Sequence, residues 1–322
     1  DRLNPFNANN PDQPLFRFKL FVRSDESFQF FMSTHHAICD GWGNIEFLKE
    51  LFQSYIDIKN GNAEEPLPAP NTYKEFVALE QEILASREAA EFWESHLKNE
   101  SHSALPTVDT GTDDAFKPEV SVYLDPELGS ELQALAQKSR VSLKTVYLSA
   151  YLDLIGRMTR QSVATAGVIS NGRSERLTDP LKALGLFWNI VPFCAPVDYQ
   201  DKLAQLTKVQ QLLIDVEGFA SYPLPQILEN QGKSELFFAS FNFLNFHNAR
   251  EFSTDATVEV IGSGNCDRFS FPLNLRVAVS PFDGQVNLNV GYDNHYFTER
   301  SIHSIIDSYT ELLQSLTPGR IQ

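Results

Sequence analysis

Only three cysteines, Cys39, Cys194 and Cys266, occur in the 322 residues. They are odd in number and show no Cys-x-x-Cys spacing, which excludes a disulfide framework and a thiolate zinc site and points to a reducing compartment. No run of about 18 apolar residues is present, so no membrane-spanning helix is expected. The first residues, Asp1-Arg2-Leu3-Asn4-Pro5, lack a signal-peptide pattern, and a cytoplasmic location is expected. Basic charge is scarce as well: 26 Lys and Arg against 42 Asp and Glu leave a formal charge of −16. A phosphate backbone would be repelled by such a chain, which argues against a nucleic-acid partner. Internal repeats and low-complexity tracts are absent.

What is plentiful is apolar and aromatic material. A hydrophobic content of 42% with 25 Phe is ample for a large core, and the length favours two lobes or domains over one. Period-2 alternation predicts a hairpin over 15–36: Phe16, Phe18, Leu20 and Val22 on one face of the first strand, then a turn at Ser24-Asp25-Glu26-Ser27, then Phe28, Phe30, Met32 and Thr34. Ile45, Leu48, Leu51, Phe52 and Tyr55 fall at helical spacing and predict a core-facing helix from Trp42 to about Ile58, stopped by Asn60-Gly61. Pro66, Pro68 and Pro70 predict a stiff connection, and one long helix is expected from Thr72 to Asn99. The small, acidic stretch 100–116 is expected to join two lobes, 1–110 and 111–322.

In the second lobe the pattern predicts strands near 120–124, 162–169, 185–197, 236–246, 272–280 and 285–292. Helices are expected near 125–139, 142–158, 203–216 and 298–316, with a Pro-rich turn at 222–225. Ser142 is the expected N-cap of a helix apolar nearly all round, hence buried. Pro192 inside a strand implies an edge position or a bulge, and Asp283-Gly284 a hairpin. Strands and helices that do not alternate regularly indicate an α+β fold.

Between the hairpin and the first helix stands His35-His36-Ala37-Ile38-Cys39-Asp40-Gly41. Continued strand alternation would send the two imidazoles to opposite sides, one toward a cavity and one inward. Gly41 supplies a residue that tolerates a positive φ just before the helix. A metal reading of His35, His36 and Asp40 fails, because adjacent strand residues point apart.

This segment resembles the HHxxxDG motif of non-ribosomal peptide synthetase condensation domains, within the chloramphenicol-acetyltransferase-like acyltransferases. Other stretches agree in order: Pro14-Leu15-Phe16-Arg17, Asp40-Gly41-Trp42 with its helix, Glu91-Phe92-Trp93, Asn171-Gly172-Arg173, and Gly185-Leu186-Phe187-Trp188-Asn189-Ile190-Val191-Pro192. The resemblance implies two lobes in a V, mixed sheets covered by helices, with an incomplete N-terminal lobe, because the family's upstream part with an R-H-E-x-L-R-T-like motif is not found here.

The implied activity is amide formation between a carrier-bound acyl or peptidyl thioester and the amine of a carrier-bound aminoacyl acceptor. Donor and acceptor carrier proteins and neighbouring synthetase domains are the implied partners. No cofactor is bound directly; the carriers' phosphopantetheine arms arrive as part of the substrates. An amine must lose a proton as it attacks, and an imidazole can take that proton or orient the amine. The resemblance gives this role to His36. It makes His35 structural, Gly41 a residue for the turn and close approach, and Asp40 a loop-holding group paired with an arginine of the upstream motif. Trp188, Asn189 and Arg276 are candidates for lining the substrate channel. Cys39 occupies a variable position of the motif, and His247 and His295 are read as ordinary histidines. Epimerization domains fit less well, having an E-G-H-G-R-like segment where this chain has Ser170-Asn171-Gly172-Arg173. Heterocyclization domains would carry D-x-x-x-x-D. A free amine or hydroxyl acceptor, or a non-catalytic recruiting module, are the alternatives.

Overall fold

A computed structural model describes residues 12–62, 72–98, 118–198, 200–245 and 271–317, together with 6, 7, 10, 259, 261 and 262. The proline connection, the stretch 100–116, His247 and Cys266 lie outside the described residues. The described residues fall into two compact units. One takes those up to Ala78 with Arg173–Trp188 and Glu259; the other takes the remainder. That line differs from a cut at residue 110, because residues 173–188 fold back onto the early part of the chain.

In the first unit β1 (Phe16–Ser24) and β2 (Ser27–Thr34) pair antiparallel, with Phe18 opposite Met32 and Leu20 opposite Phe30. Alternation directs Phe18, Phe28 and Phe30 to one face. There they meet α1 (Gly41–Lys59): Phe18 stacks on Phe47, Phe30 packs edge-on to Phe52, and Phe28 touches Phe52 and Tyr55. The expected stripe on α1 is only partly covered, since Leu51 and Tyr55 remain exposed.

The expected long helix is two. α2 (Thr72–Leu84) stops at Ala85, and α3 (Arg87–His96) restarts from Ser86, whose side chain accepts from the Ala89 N–H. A serine that can cap the next turn competes with helix continuation.

The second unit is a six-stranded mixed sheet in the order β3-β8-β7-β6-β4-β5. Its strands are β3 (Glu119–Tyr123), β4 (Val163–Ser170), β5 (Asn189–Pro196), β6 (Ala239–Leu244), β7 (Leu273–Val279) and β8 (Val286–Tyr292). β6 runs parallel to β4 and β7; the other pairs are antiparallel. The helices are α4 (Pro126–Ser139), α5 (Leu143–Thr159), α6 (Lys202–Glu217), α7 (Leu224–Gln231) and α8 (Glu299–Gln314). On one face of the sheet Leu273, Leu275, Leu288 and Val290 pack against Tyr151 of α5 and Ile306 and Tyr309 of α8. The Tyr309 hydroxyl donates to the Tyr147 carbonyl at 2.9 Å, tying the two helices together. α5 is buried continuously from Thr145 to Gly156 and is capped by Ser142, as its all-round apolar pattern predicts.

Differences from the sequence-based expectations are local. The Pro-rich turn at 222–225 opens α7, because Pro223 at the N-cap needs no N–H there. The expected strand 185–197 begins only at Asn189, while Pro192 does lie on an edge strand. Asp283-Gly284 forms the β7–β8 turn, with Gly284 at φ +75°. Among the described residues no helix is long and apolar enough to cross a membrane.

Candidate functional site

β2 ends at Thr34, and the chain turns through His36–Ile38. The His35 N–H still reaches the Leu15 carbonyl at 2.7 Å, and the Ile38 N–H closes back on the His35 carbonyl at 3.1 Å. It is therefore a turn, rather than continued strand alternation, that separates the two imidazoles. His35 is half-buried: its Nδ1 accepts the Ala37 N–H at 3.1 Å, and its ring meets Phe6 edge-on. His36 is exposed in the turn, and its ring lies 5.3 Å from that of Trp188 at an interplanar angle of 80°.

Asp40 is the anchor of the loop. Its extended backbone (φ −90°, ψ 176°) makes it the N-cap of α1, where Oδ1 accepts the Gly43 N–H at 2.7 Å. The same oxygen accepts Nη2 of Arg173 at 2.7 Å, and Oδ2 accepts the Phe187 N–H at 3.1 Å. The Asp40 N–H donates to the Gly185 carbonyl at 3.0 Å. Both side chains of the ion pair are buried, Arg173 1% and Asp40 5% exposed.

Arg173 spends its other terminal nitrogen on the carbonyls of Pro180 and Ala183, at 2.6 and 2.9 Å, and lies over the Phe187 ring at 4.2 Å. Phe187 is in turn boxed by Tyr73 and Phe76 of α2. Further pins hold the same segment: Trp42 Nε1 to the Leu181 carbonyl, Thr72 Oγ1 to the Thr178 carbonyl, and the Thr178 N–H to Glu75. Residues 178–187 are thus laced to the motif loop, to α1 and to α2.

Within this chain the arginine partner of Asp40 is Arg173, where the family resemblance points to an upstream arginine. A guanidinium can bridge one carboxylate and two carbonyls at once, which is what this crossing needs. The sequence marks Asn171-Gly172-Arg173 as a matching stretch without giving Arg173 this partner; an arginine just past the buried strand β4 is the available signal. With three donors on its carboxylate, Asp40 is a loop-holding group. Gly41 is a second correction. It is the first residue of α1 and is not among the glycines at positive φ.

In the motif loop and the segment laced to it, the glycines that geometry demands are Gly43 and Gly185. A Cβ on Gly43 would stand 2.7 Å from Cys39 Sγ. Gly185 sits at φ +155°, and its Cβ would meet the Tyr73 ring at 2.3 Å. Gly185→Ala is expected to destabilise the first unit by roughly 2–4 kcal/mol, from backbone strain plus the clash. Urea unfolding of the variant checks this, and a midpoint equal to wild type would contradict it.

The remaining candidates separate. Trp188 stands beside His36, whereas Asn189 opens β5 and donates both amide hydrogens, to the carbonyls of Ala220 and Tyr222, each at 2.8 Å. Its amide donors are committed to holding that turn. Arg276 lies on the face of the sheet opposite the helices, 3.6 Å from Glu119, which also accepts from Asn289. Burial raises the Cys39 thiol pKa, which disfavours the thiolate a nucleophile would require. His295 is a surface residue paired with Asp293.

The comparisons agree with this geometry. The "Condensation domain" family model matches residues 3–319. A linear gramicidin synthase from Brevibacillus parabrevis is 27% identical over 333 residues, covering 98% of this chain and 4% of that protein. The AMB antimetabolite synthetase AmbE of Pseudomonas aeruginosa is 26% identical over 329 residues, covering 100% of this chain and 15% of that protein. The chain thus spans a small part of the length of the curated relatives it matches. Among solved structures, the first condensation domain of the calcium-dependent antibiotic synthetase superposes with a TM-score of 0.75 at 16% identity, over 95% of this chain and 68% of that one. An α+β fold with a helix-covered mixed sheet, an HHxxxDG loop clamped by a buried aspartate–arginine pair, and a family match over nearly the whole length lead to one conclusion: the chain belongs to the condensation-domain family.

Proposed function

We propose that the chain joins a carrier-bound acyl or peptidyl thioester to the amine of a carrier-bound aminoacyl acceptor, with His36 at the reacting centre. The attacking amine forms a C–N bond to the thioester carbon, the C–S bond breaks, and the carrier's thiol leaves with a proton. His36 accepts the amine's proton or hydrogen-bonds the amine into line. Positioning alone can supply much of the effect, because a neutral α-amine is already a good nucleophile. Gly41 lets the chain leave the motif without a side chain at the loop's exposed end. Phosphopantetheine arms enter only as parts of the two substrates, and the carriers and adjacent synthetase domains are the partners.

The observation that carries this reading is an exposed imidazole on a turn whose neighbour, Asp40, is locked by three donors. Such a loop presents one exposed imidazole on a firmly anchored backbone. The test is intact-mass detection of transfer between carriers loaded with candidate donor and acceptor groups. His36→Ala is expected to reduce transfer by roughly 10²–10⁴-fold while the fold is retained. Near-normal product from a folded His36→Ala variant sinks the reading. Product formed on hydroxyl but not amine acceptors would assign ester formation instead, and carrier binding without product would assign a recruiting role.

A further inference from the structure

We propose that Trp188 is a positioning residue for His36: its indole holds the imidazole in one orientation beside the turn. The catalytic consequence rests on the function proposed above; the contact itself does not. A reactive imidazole is ordinarily oriented by a carboxylate or carbonyl bonded to its far nitrogen. Among the described residues no hydrogen bond or ion pair reaches the His36 ring, and the nearest carboxylate in sequence, Asp40, is committed to Gly43, Phe187 and Arg173.

The ring neighbour is Trp188, at 5.3 Å and 80°. That is an edge-to-face arrangement, within the roughly 4.5–7 Å range in which aromatic pairs attract. An exposed histidine otherwise turns freely about χ2, whose energy wells are broad. Packing against an indole removes that freedom.

The indole itself is placed with care. The Gly185 carbonyl accepts the Asp40 N–H, and the Phe187 N–H binds the Asp40 carboxylate, so two backbone links fix residues 185–187 against the motif loop. Phe187, the residue immediately before Trp188, is fully buried between Tyr73, Phe76 and Arg173. The buried carboxylate that starts α1 therefore also sets where the indole stands. Trp188 is only half-buried, and replacing it removes little of the packing that holds the loop.

The experiment uses the whole chain with histidine labelled at Cε1, comparing wild type, Trp188→Ala, Trp188→Leu and Trp188→Phe. His36→Ala assigns the His36 signal by its loss. In Trp188→Ala and Trp188→Leu the His36 resonance is expected to leave its ring-current-shifted position and sharpen as the ring gains motion; Trp188→Phe retains most of the shift. Condensation kcat is expected to fall about tenfold in the alanine and leucine variants, the low end of what misplacement costs, with the KM for the acceptor carrier within about twofold of wild type. The phenylalanine variant is expected to keep most of the rate. An unmoved His36 signal in a folded alanine or leucine variant overturns the proposal. So does a freed ring with undiminished kcat. If wild type condenses no substrate pair, the function proposed above fails, and the His36 signal alone decides whether the indole holds the ring.

Discussion

Arg173→Ala is expected to destabilise the first unit by roughly 3–5 kcal/mol, and to abolish the proposed condensation, because it leaves the Asp40 carboxylate buried without its counter-charge. Two weaker bonds, from the Gly43 and Phe187 N–H groups, would then carry the whole burden of a buried anion. The Pro180 and Ala183 carbonyls would lose their donors in the same stroke. Asp40→Asn should be milder. It strands a guanidinium that still holds those two carbonyls and the Phe187 ring, and the amide oxygen can still cap α1. The expected order is thus Arg173→Ala worse than Asp40→Asn.

The double variant Asp40→Asn/Arg173→Leu is expected to recover part of the loss, since removing both charges is less harmful than removing one. Arg173→Lys should rescue poorly, because a single ammonium cannot fork across three acceptors. Urea unfolding of the four variants reads the order. An Arg173→Ala midpoint within about 1 kcal/mol of wild type would mean that this pair does not hold the loop.

Much of the fold is written locally in the sequence. Alternating Phe residues specify the hairpin, Ser142 and Asn60 mark helix ends, and Asp283-Gly284 marks the β7–β8 turn, because those signals act over a few residues. What escapes is set by partners far along the chain. Asp40 and Arg173 are 133 positions apart, and no spacing rule links them. The late start of β5 has the same origin: Gly185–Trp188 is apolar enough to read as strand, but its backbone groups pair with Asp40 instead of a neighbouring strand. The break at Ser86 and the helix after Pro223 are different failures, of capping chemistry that the sequence contains but period counting ignores. The strand order of the sheet is not legible in the residue pattern, since strand patterns do not name their neighbours; its mixed character is implied only by the family resemblance. At the site, the two histidines and Asp40 are legible as a motif, while Gly43, Gly185 and Phe187 matter only through close approaches visible in three dimensions.

His96 supplies the second large effect, one that no sequence pattern announces. β5 is an edge strand, and an edge leaves N–H and C=O groups that must find partners. The Cys194 N–H donates to His96 Nε2 at 3.2 Å, and the nearby Pro192 backbone favours the protonated ring only weakly. One neutral imidazole from α3 thus accepts an edge N–H that a neighbouring strand would otherwise take. It is wedged among Phe92, Trp93 and Phe193. Burial is the main cause that lowers its pKa from 6.5 to about 4, against weaker opposing effects from the Pro192 bond and Asp215. Between those values the unfolded chain takes up a proton that the folded one refuses, so stability must fall as pH drops from about 6.5 toward 4. The gap corresponds to ~3 kcal/mol of stability present at neutral pH and lost on acidification. Below pH 4 protonation replaces the Nε2 acceptor by a donor facing the Cys194 N–H, which loses this partner. His96→Gln keeps one acceptor and one donor without a titrating group, so its stability should be lower at about pH 7 but much flatter from there down to about pH 4.5. Comparing urea midpoints of the two proteins across that range isolates His96 from the carboxylates that titrate in both, and parallel slopes would remove His96 as the source of acid sensitivity.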